Sequence, residues 1–561
     1  MKNFGLPLKL NLGCGGDKHP GYVNIDALAQ FAPDLQLDLL DNWPFAPGSV
    51  SEILAFDILE HFLEPDLEKV LAKISFVLKT GGLLRIRVPN LDDIISRFAS
   101  DPDTRNLFIY GNTQDTGIFG LHKMAFTRHQ LISLLAWHNL QLLNIKQENT
   151  NWLASFKKVN SRPQLKNVAI FVQTFGLGGA ETFWTDLLKQ MVNDKWLMVN
   201  QIHIFTNHLP FIKLLESKKL TVTKINSELD LVGDWKGLAK ACILWPAFMA
   251  EYTKIFFNLK KQNKLDLILV SGLVEKIYLS ILGKIFQVPI VWLEFGPVAP
   301  LLNKFAKFPK FLYYLVKKIP EYIIVPSQHT KRHLITGAHV VESKIKVIPC
   351  GRKVEKFRNY KLGIKNYRIV CVSRLEPGKG QDLLIKAMSQ VWKKIPQVKL
   401  EIIGEGNWSL KTNSKILLRG RVVDAVQEMA KADLIVFPSV WELEGFGLVA
   451  IEAMALGKPI VAFDRPPINE ILQSEKNALL AKNKDVPDLA RQIIKLLSHK
   501  TLATQLGKQA RADFAQKYDI SKVAPLYQEI WERAYGSTRA KKLFLHSTPL
   551  WCYKNRSQNR F

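Results

Sequence analysis

The sequence predicts an α/β chain built from three Rossmann-like domains, and three observations carry that expectation. Short, almost wholly apolar runs such as Val168-Ala-Ile-Phe-Val172 and Asp433-Leu-Ile-Val-Phe437 have the make-up of strands buried on both faces. Stretches of helical periodicity lie between such runs, as βαβ units require. Glycine-rich turns follow several of them, at Gly13 to Gly16, Gly176 to Gly179, Gly378 to Gly380 and Gly445 to Gly447. At 561 residues the chain is too long for one core, and 47% apolar residues mark it as globular.

The formal charge of +27 is unevenly spread. The first 150 residues carry 13 Lys and Arg against 17 Asp and Glu, whereas the remaining 411 carry 64 against 33. The split points to two functional units with different partners. A net negative first unit without a basic aromatic patch argues against a nucleic-acid-modifying enzyme. The five cysteines are scattered and form no C-x-x-C pair, so neither a disulfide framework nor a metal site is expected. With no signal peptide and no apolar run of membrane-spanning length in view, a cytoplasmic protein is expected.

In chain order, Leu8 to Leu12 reads as a first strand, followed by the Gly13-Cys14-Gly15-Gly16 turn. Val23 to Asp26 is a second strand ending in an acid, and Leu35 to Asp38 a short third. Val50 to Asp57 reads as a buried strand leading into Ile58-Leu-Glu60-His61. Leu67 to Leu78 has helical periodicity, Lys79 to Gly82 reads as a turn, and Leu83 to Val88 as a strand. A glycine turn after one strand with a carboxylate ending the next is how an α/β sheet holds a nucleoside. The ordered run L-N-L-G-C-G, N-I-D, L-E-H-F and V-L-K-T-G-G-L-L-R-I-R-V-P-N-L resembles class I S-adenosylmethionine-dependent methyltransferases of the methyltransferase-11-like group. The resemblance implies that Gly13 and Gly15 line S-adenosylmethionine, that Asp26 takes its ribose hydroxyls and that Asp38 lies near its adenine. Asn11 stands where many such enzymes have an acid, and the segment holding Pro20 and Gly21 leaves little room for a first helix. His61, His122 and His129 are the candidate bases.

Gln147 to Lys166 is polar and aperiodic and reads as the join. Beyond it, Val168 to Val172 precedes Gly176-Leu-Gly178-Gly179-Ala180-Glu181, with a helix expected from Thr182. Strands are expected at Gln201 to Phe205, Leu265 to Val270, Ile290 to Leu293 and Tyr322 to Val325. Between Pro300 and Pro320, Lys304, Lys307, Lys310, Lys317 and Lys318 interleave with Leu301, Phe305, Phe308, Phe311 and Leu315 and no acid. That composition fits a segment lying on an anionic membrane surface, and equally a helix packed on the sheet with its lysine heads in water.

The last third opens on the strand Tyr367 to Val372 and the loop Ser373-Arg374-Leu-Glu-Pro-Gly378-Lys379-Gly380. Arg374 and Lys379 are five residues apart across a Pro-Gly loop, so both can reach one diphosphate. A helix is expected over Val422 to Ala432. The strand ending at Phe437 then runs into Glu442, Glu444, Gly445, Phe446, Gly447 and Leu448, with a helix bearing Glu452 after it. Glycines let backbone approach a ligand, and a helix start offers N–H groups to phosphate. Helices are expected over Val486 to Leu497, Leu502 to Tyr518 and Val523 to Tyr535. The G-G-A-E loop, the R-(x4)-K loop and the pair Glu444 and Glu452 with seven residues between them resemble the retaining glycosyltransferases of family 4, which have the GT-B fold.

The resemblance implies that Arg374 and Lys379 stabilise a departing nucleoside diphosphate without a metal. It implies that Gly445 to Leu448 offer N–H groups to phosphate, with Gly178 and Gly179 facing them, and that Glu444 holds the sugar and Glu452 the ribose. Glu294 stands where many members place a histidine against the donor sugar, and Cys350 where most carry Asn. Asn469-Glu470 holds the place of the family's P-E pair. The expected layout is a methyltransferase-like domain over 1–156, a linker over 157–166, GT-B halves over 167–362 and 363–536, and a flexible basic tail over 537–561. The expected function is transfer of a sugar from a nucleoside-diphosphate sugar to a glycan or lipid-linked acceptor, with methylation in the same polysaccharide pathway. Peripheral contact with the inner membrane face and no contact with nucleic acid are expected. The alternatives are a degenerate methyltransferase fold serving as a partner module, and a binding scaffold with both sites dead.

Overall fold

The computed structural model describes residues 8–101, 122–123, 125–159, 165–174, 176, 178–196, 201–227, 229, 235–303, 308–354 and 367–547. The chain divides into two units, one of Met1–Leu165 with Glu532–Phe561 and one of Lys166–Trp531. No described helix is long and apolar enough to cross a membrane.

The first unit is a seven-stranded sheet. Its strands are β1 (Leu8–Leu12), β2 (Val23–Asp26), β3 (Leu35–Gln36), β4 (Val50–Phe56), β5 (Leu78–Pro89), β6 (Leu140–Glu148) and β7 (Asn151–Lys158), in the order β3-β2-β1-β4-β5-β7-β6. β1 to β5 are parallel, while β7 is antiparallel to both β5 and β6. The order reverses between β1 and β4, which opens a crevice at the carboxyl ends of those strands. Leu10, Leu12, Ile53, Ala55, Leu84 and Ile86 form the core of the sheet.

Two expectations for this unit change. Lys79 to Gly82, expected as a turn before a strand, lie within β5 as an irregularity: Val50 pairs with Leu78 and Glu52 with Leu83, so these four residues bulge opposite Ser51, with Gly81 at φ +80°. Much of the expected join is strand: Gln147 and Glu148 end β6, and Asn151 to Lys158, including the first two residues of the expected linker, form β7. The polar sequence misled because β7 has few positions facing the core, Ala154 and Phe156 being its buried residues. No helix intervenes between β1 and β2, whose connection is made of turns.

The second unit holds two all-parallel sheets. The first contains β8 (Val168–Val172), β9 (Ile202–Thr206), β10 (Val222–Lys224), β11 (Leu267–Val270), β12 (Ile290–Leu293), β13 (Tyr322–Val325) and β14 (Ile345–Val347), ordered β10-β9-β8-β11-β12-β13-β14. The second contains β15 (Arg368–Val372), β16 (Lys399–Ile403), β17 (Ile416–Gly420), β18 (Leu434–Phe437), β19 (Ile460–Asp464) and β20 (Leu479–Lys482), ordered β17-β16-β15-β18-β19-β20. β8, β11, β12 and β18 are buried along their whole length, which explains why they were legible as apolar runs. The strands missed are β10, β14, β17 and β20, which lie at or next to sheet edges and are short or exposed.

Helices Val486–Ser498 and Lys500–Lys517 match their expected spans closely. The helix expected over Val422 to Ala432 is confined to Ala425–Ala430, because Asp424 caps it by accepting from the Gln427 N–H at 3.0 Å. The last helix runs over Ile520–Ser547, so residues 537–547 are helical and not a flexible tail. Residues 548–561 lie outside those described. Within the second unit this helix returns to the first sheet. The buried Tyr527 hydroxyl donates to Ile348 O at 3.3 Å, and Trp531 packs 6.4 Å from Trp184.

Candidate functional site

The two sheets of the second unit meet across a cleft of about 620 Å³, within the size of small-molecule sites. One wall comes from the loops after β8 and β12, the other from those after β15 and β18. The walls meet at main-chain distance. A Cβ on Gly445 would fall inside the Phe295 carbonyl, and one on Gly296 would lie 2.8 Å from Leu443 O. Ser327 Oγ donates to Gly445 O at 2.8 Å. From the other side, Glu470 accepts the N–H groups of Gln328 and His329, both at 2.7 Å. The carboxylate of the expected Asn469-Glu470 position therefore caps the helix Gln328–Ala338 of the opposite half.

Arg374, Lys379 and Glu444 gather on the second wall. The buried Lys379 ammonium pairs with Glu444 Oε2 at 2.9 Å, and Ser439 Oγ donates to the same oxygen at 2.9 Å. Trp441 lies between the cations, with Lys379 Nζ 3.9 Å and the Arg374 guanidinium 5.5 Å from its ring centre. Arg374 is half exposed and pairs with Glu376 at 3.0 Å. Gly447, at φ +114°, turns the chain into the helix Leu448–Ala455. That helix start lines the cleft through Gly447, Leu448 and Val449, beside Gly445 and Phe446. The first N–H groups of a helix have no intrahelical partner, so this wall presents donors and two cations to an anion.

Gly178 and Gly179 lie on the facing wall. A Cβ on Gly179 would meet the Leu448 side chain at 3.1 Å, a tight contact across the cleft. The Gly178 N–H is taken by Glu181 Oε2 at 2.8 Å, and Thr174 holds the other Glu181 oxygen at 2.7 Å. Glu181 thus shapes the turn that the G-G-A-E sequence marks. Glu294 also lines the cleft, but its carboxylate is held by Lys276 at 2.9 Å and by the Tyr313 hydroxyl at 3.2 Å. It is one half of a buried ion pair.

Glu452 is not among the cleft-lining residues. It is buried, and burial raises its carboxyl although Arg352 beside it acts in the opposite direction. Arg352 Nε donates to Glu452 at 2.7 Å, and its Nη1 reaches Asp186 on the helix Gly179–Asn193 of the first half. Asp186 also accepts the Lys353 N–H at 3.0 Å. Sequence reading missed Arg352 and Trp441, each of which gains its place from partners more than sixty residues away in the chain.

In the first unit the expected cofactor residues cluster around the crevice between β1 and β4. Gly13 and Gly15 have φ of +62° and +47°, a conformation that favours glycine. Asp26 Oδ2 accepts the Gly15 N–H at 2.8 Å and Oδ1 the Leu28 N–H at 2.9 Å, so this carboxylate braces the glycine turn. Asn11 is buried and donates to Asp17 O at 2.9 Å and to Asn24 at 3.0 Å, a fastening an acid could not make. Asp38 is exposed and caps its own turn through the Leu40 N–H at 2.8 Å. His61 and His122 lie with ring centres 5.1 Å apart. The His129 side chain lies outside the described residues.

The Arg352 contacts give a measurable expectation. Replacing Arg352 with Met strands Glu452 in a buried setting and should cost about 3–5 kcal/mol, read by chemical denaturation. Adding Glu452→Gln should recover part of that loss. A cost below 1 kcal/mol for the single variant, by the same measure, would mean that the pair carries little.

Residues 353–513 match the family model described as glycosyl transferases group 1. The chain is 32% identical over 176 residues to a poly(ribitol-phosphate) alpha-N-acetylglucosaminyltransferase of Staphylococcus aureus, covering 30% of this chain and 34% of that one. It is 31% identical over 202 residues to a GDP-mannose-dependent monoacylated alpha-(1-6)-phosphatidylinositol monomannoside mannosyltransferase of Corynebacterium glutamicum, covering 33% and 52%. It thus spans about a third to a half of these two relatives. Among solved structures, Anabaena HepE in complex with UDP and glucose superposes with a TM-score of 0.53 at 21% identity, covering 65% of this chain and 99% of that one. Sucrose-phosphate synthase from Thermosynechococcus elongatus gives 0.51 at 17%, covering 68% and 100%. The second unit thus has the GT-B fold, and its C-terminal half carries a glycosyltransferase group 1 domain.

Proposed function

We propose that the second unit is a retaining glycosyltransferase that moves a sugar from a nucleoside-diphosphate sugar, a UDP-sugar being the first to try, to a glycan or lipid-linked hydroxyl. The observation that carries this reading is the grouping of Lys379, Arg374 and the Gly447–Leu448 helix start on one cleft wall. Breaking a sugar–phosphate bond leaves a diphosphate of growing negative charge, and preformed cations and N–H groups lower that barrier. Without donor, Glu444 neutralises Lys379. An entering diphosphate would take over the ammonium and leave Glu444 to accept sugar hydroxyls. In this reading Glu452 acts from behind the cleft through its ion pair with Arg352, and its ribose contact requires that pair to open. UDP and glucose are bound in the HepE structure, and poly(ribitol-phosphate) and a monoacylated phosphatidylinositol monomannoside stand in the names of the two relatives. These support the donor and acceptor classes. For Lys379→Ala we expect transfer from the preferred UDP-sugar to fall by about 10²–10³-fold, with the fold intact. Transfer and donor hydrolysis that are nil in both wild type and variant, with every nucleotide sugar, would favour a scaffold.

A membrane-proximal acceptor is part of the proposal. The helix Phe308–Val316 buries Pro309, Tyr313 and Val316 and exposes Phe308, Phe311 and Leu315, with Ile281 and Ile285 exposed on the adjacent helix Leu273–Phe286. Of the lysines counted toward this surface, Lys317 turns inward instead. It donates to Ala338 O and His339 O, both at 2.9 Å, and stacks 3.5 Å over Tyr314. Lys304 and Lys307 lie outside the described residues. The apolar side chains therefore support lipid contact better than the lysines do. Phe311→Asp with Leu315→Asp should cut co-sedimentation with anionic vesicles several-fold, and unchanged co-sedimentation would remove the membrane from the reading.

For the first unit we propose S-adenosylmethionine binding in the crevice between β1 and β4, serving methylation of the same glycan. Support comes from the two left-handed glycines and the strand order that reverses beside them. A partner-binding module is the second reading, favoured by the engagement of Asp26 and Asn11 in holding the turn. Calorimetric titration of the full chain with S-adenosylmethionine decides between them. The expected result is saturable binding weakened at least about tenfold by Asp26→Ala, since the carboxylate both shapes the turn and would bond the ribose. Absence of binding in the wild type selects the module.

A further inference from the structure

Glu60, His61 and His122 each offer one ligand atom, and these three atoms lie within 4.8 Å of one another. Glu60 and His61 belong to the single 3-10 turn Leu59–His61 that follows β4. His122 comes from a different part of the chain and is held beside them by a backbone bond, Lys123 N–H to Glu60 O at 2.7 Å. Glu60 is 1% exposed, and its Oε2 has no hydrogen-bond partner among the described residues. A buried carboxylate oxygen left without a donor is costly, so its retention asks for a partner. The neighbouring carboxylate, Asp57, is not in the same position, because Arg87 Nε donates to it at 2.7 Å.

We propose that Glu60, His61 and His122 form a binding site for one divalent transition-metal ion. Two imidazoles and one carboxylate suit Zn²⁺, Mn²⁺, Fe²⁺ or Co²⁺ better than Ca²⁺ or Mg²⁺, which prefer oxygen alone. The three atoms would draw in by about 1 Å to reach bonds of roughly 2.1 Å. Glu60 is buried while both histidines are only half buried, which leaves an entry path and open coordination positions on the solvent side. Those positions fit oxygen ligands, such as hydroxyls of a sugar. The ion would lie next to the glycine turn, since a Cβ on Gly13 would meet the Ile58 side chain at 2.6 Å, two residues before Glu60. This departs from the sequence expectation of no metal, which rested on the cysteines. The site does not depend on whether the unit binds S-adenosylmethionine.

The test is titration of the chelator-treated full chain with Co²⁺, followed by its visible d–d absorption and displacement by Zn²⁺. One equivalent is expected, with Glu60→Gln and His122→Ala each weakening Co²⁺ at least about 100-fold. His499→Ala, on the exposed start of a C-terminal helix, should leave binding unchanged. Circular dichroism establishes that the variants are folded. Absence of Co²⁺ binding by the wild type overturns the site. So does binding that Glu60→Gln combined with His122→Ala does not change.

Discussion

The second unit depends on one constraint: two loops from different sheets approach at main-chain distance. Gly445 lies against the Phe295 carbonyl, Gly296 against Leu443 O, and Ser327 closes the contact with a hydrogen bond to Gly445 O. No side chain fits at either glycine. This seam sets where the strand β18 delivers Glu444 and where the following helix starts. It also brings the wall carrying Lys379 opposite Gly178 and Gly179, so the size of the cleft follows from it.

Charge inside this unit is arranged in pairs that cross from one half to the other. Arg352 joins Asp186 of the first half to Glu452 of the second, and Glu470 caps the helix Gln328–Ala338. Lys379 and Glu444 pair within the second wall, with Trp441 covering the ammonium. Buried pairs of this kind add little net stability, but removing one member is expensive. They therefore fix register between the halves. The Lys379–Glu444 pair is the one that lines the cleft.

The first unit shows the same economy on a smaller scale. Asp26 and Asn11, read from sequence as a ligand contact and a missing acid, both spend their hydrogen bonds on the turn between β1 and β2. With no helix in that connection, side chains replace the helix as its fastening. The unpaired oxygen of Glu60 differs from other such buried atoms of the unit, Asn139 Oδ1 among them, in lying beside two imidazoles.

The sequence by itself determined the strands buried on both faces, the glycine turns and the grouping of Arg374, Lys379 and Glu444. Each rests on local chemistry: apolar continuity, left-handed φ, or cations spaced along one loop. The charge balance changes between the first 150 residues and the rest, near the division at Leu165 and Lys166. Tertiary structure alone decided what those residues face. Edge strands such as β10 and β17 carry too few buried positions to show in sequence. The partners of Glu452, Glu294 and Lys317 come from distant segments, so nothing in their local sequence announced that Arg352, Lys276 and the Ala338 carbonyl would hold them. A side chain's type and spacing set what it can bind, and only the fold sets whether that capacity is already spent.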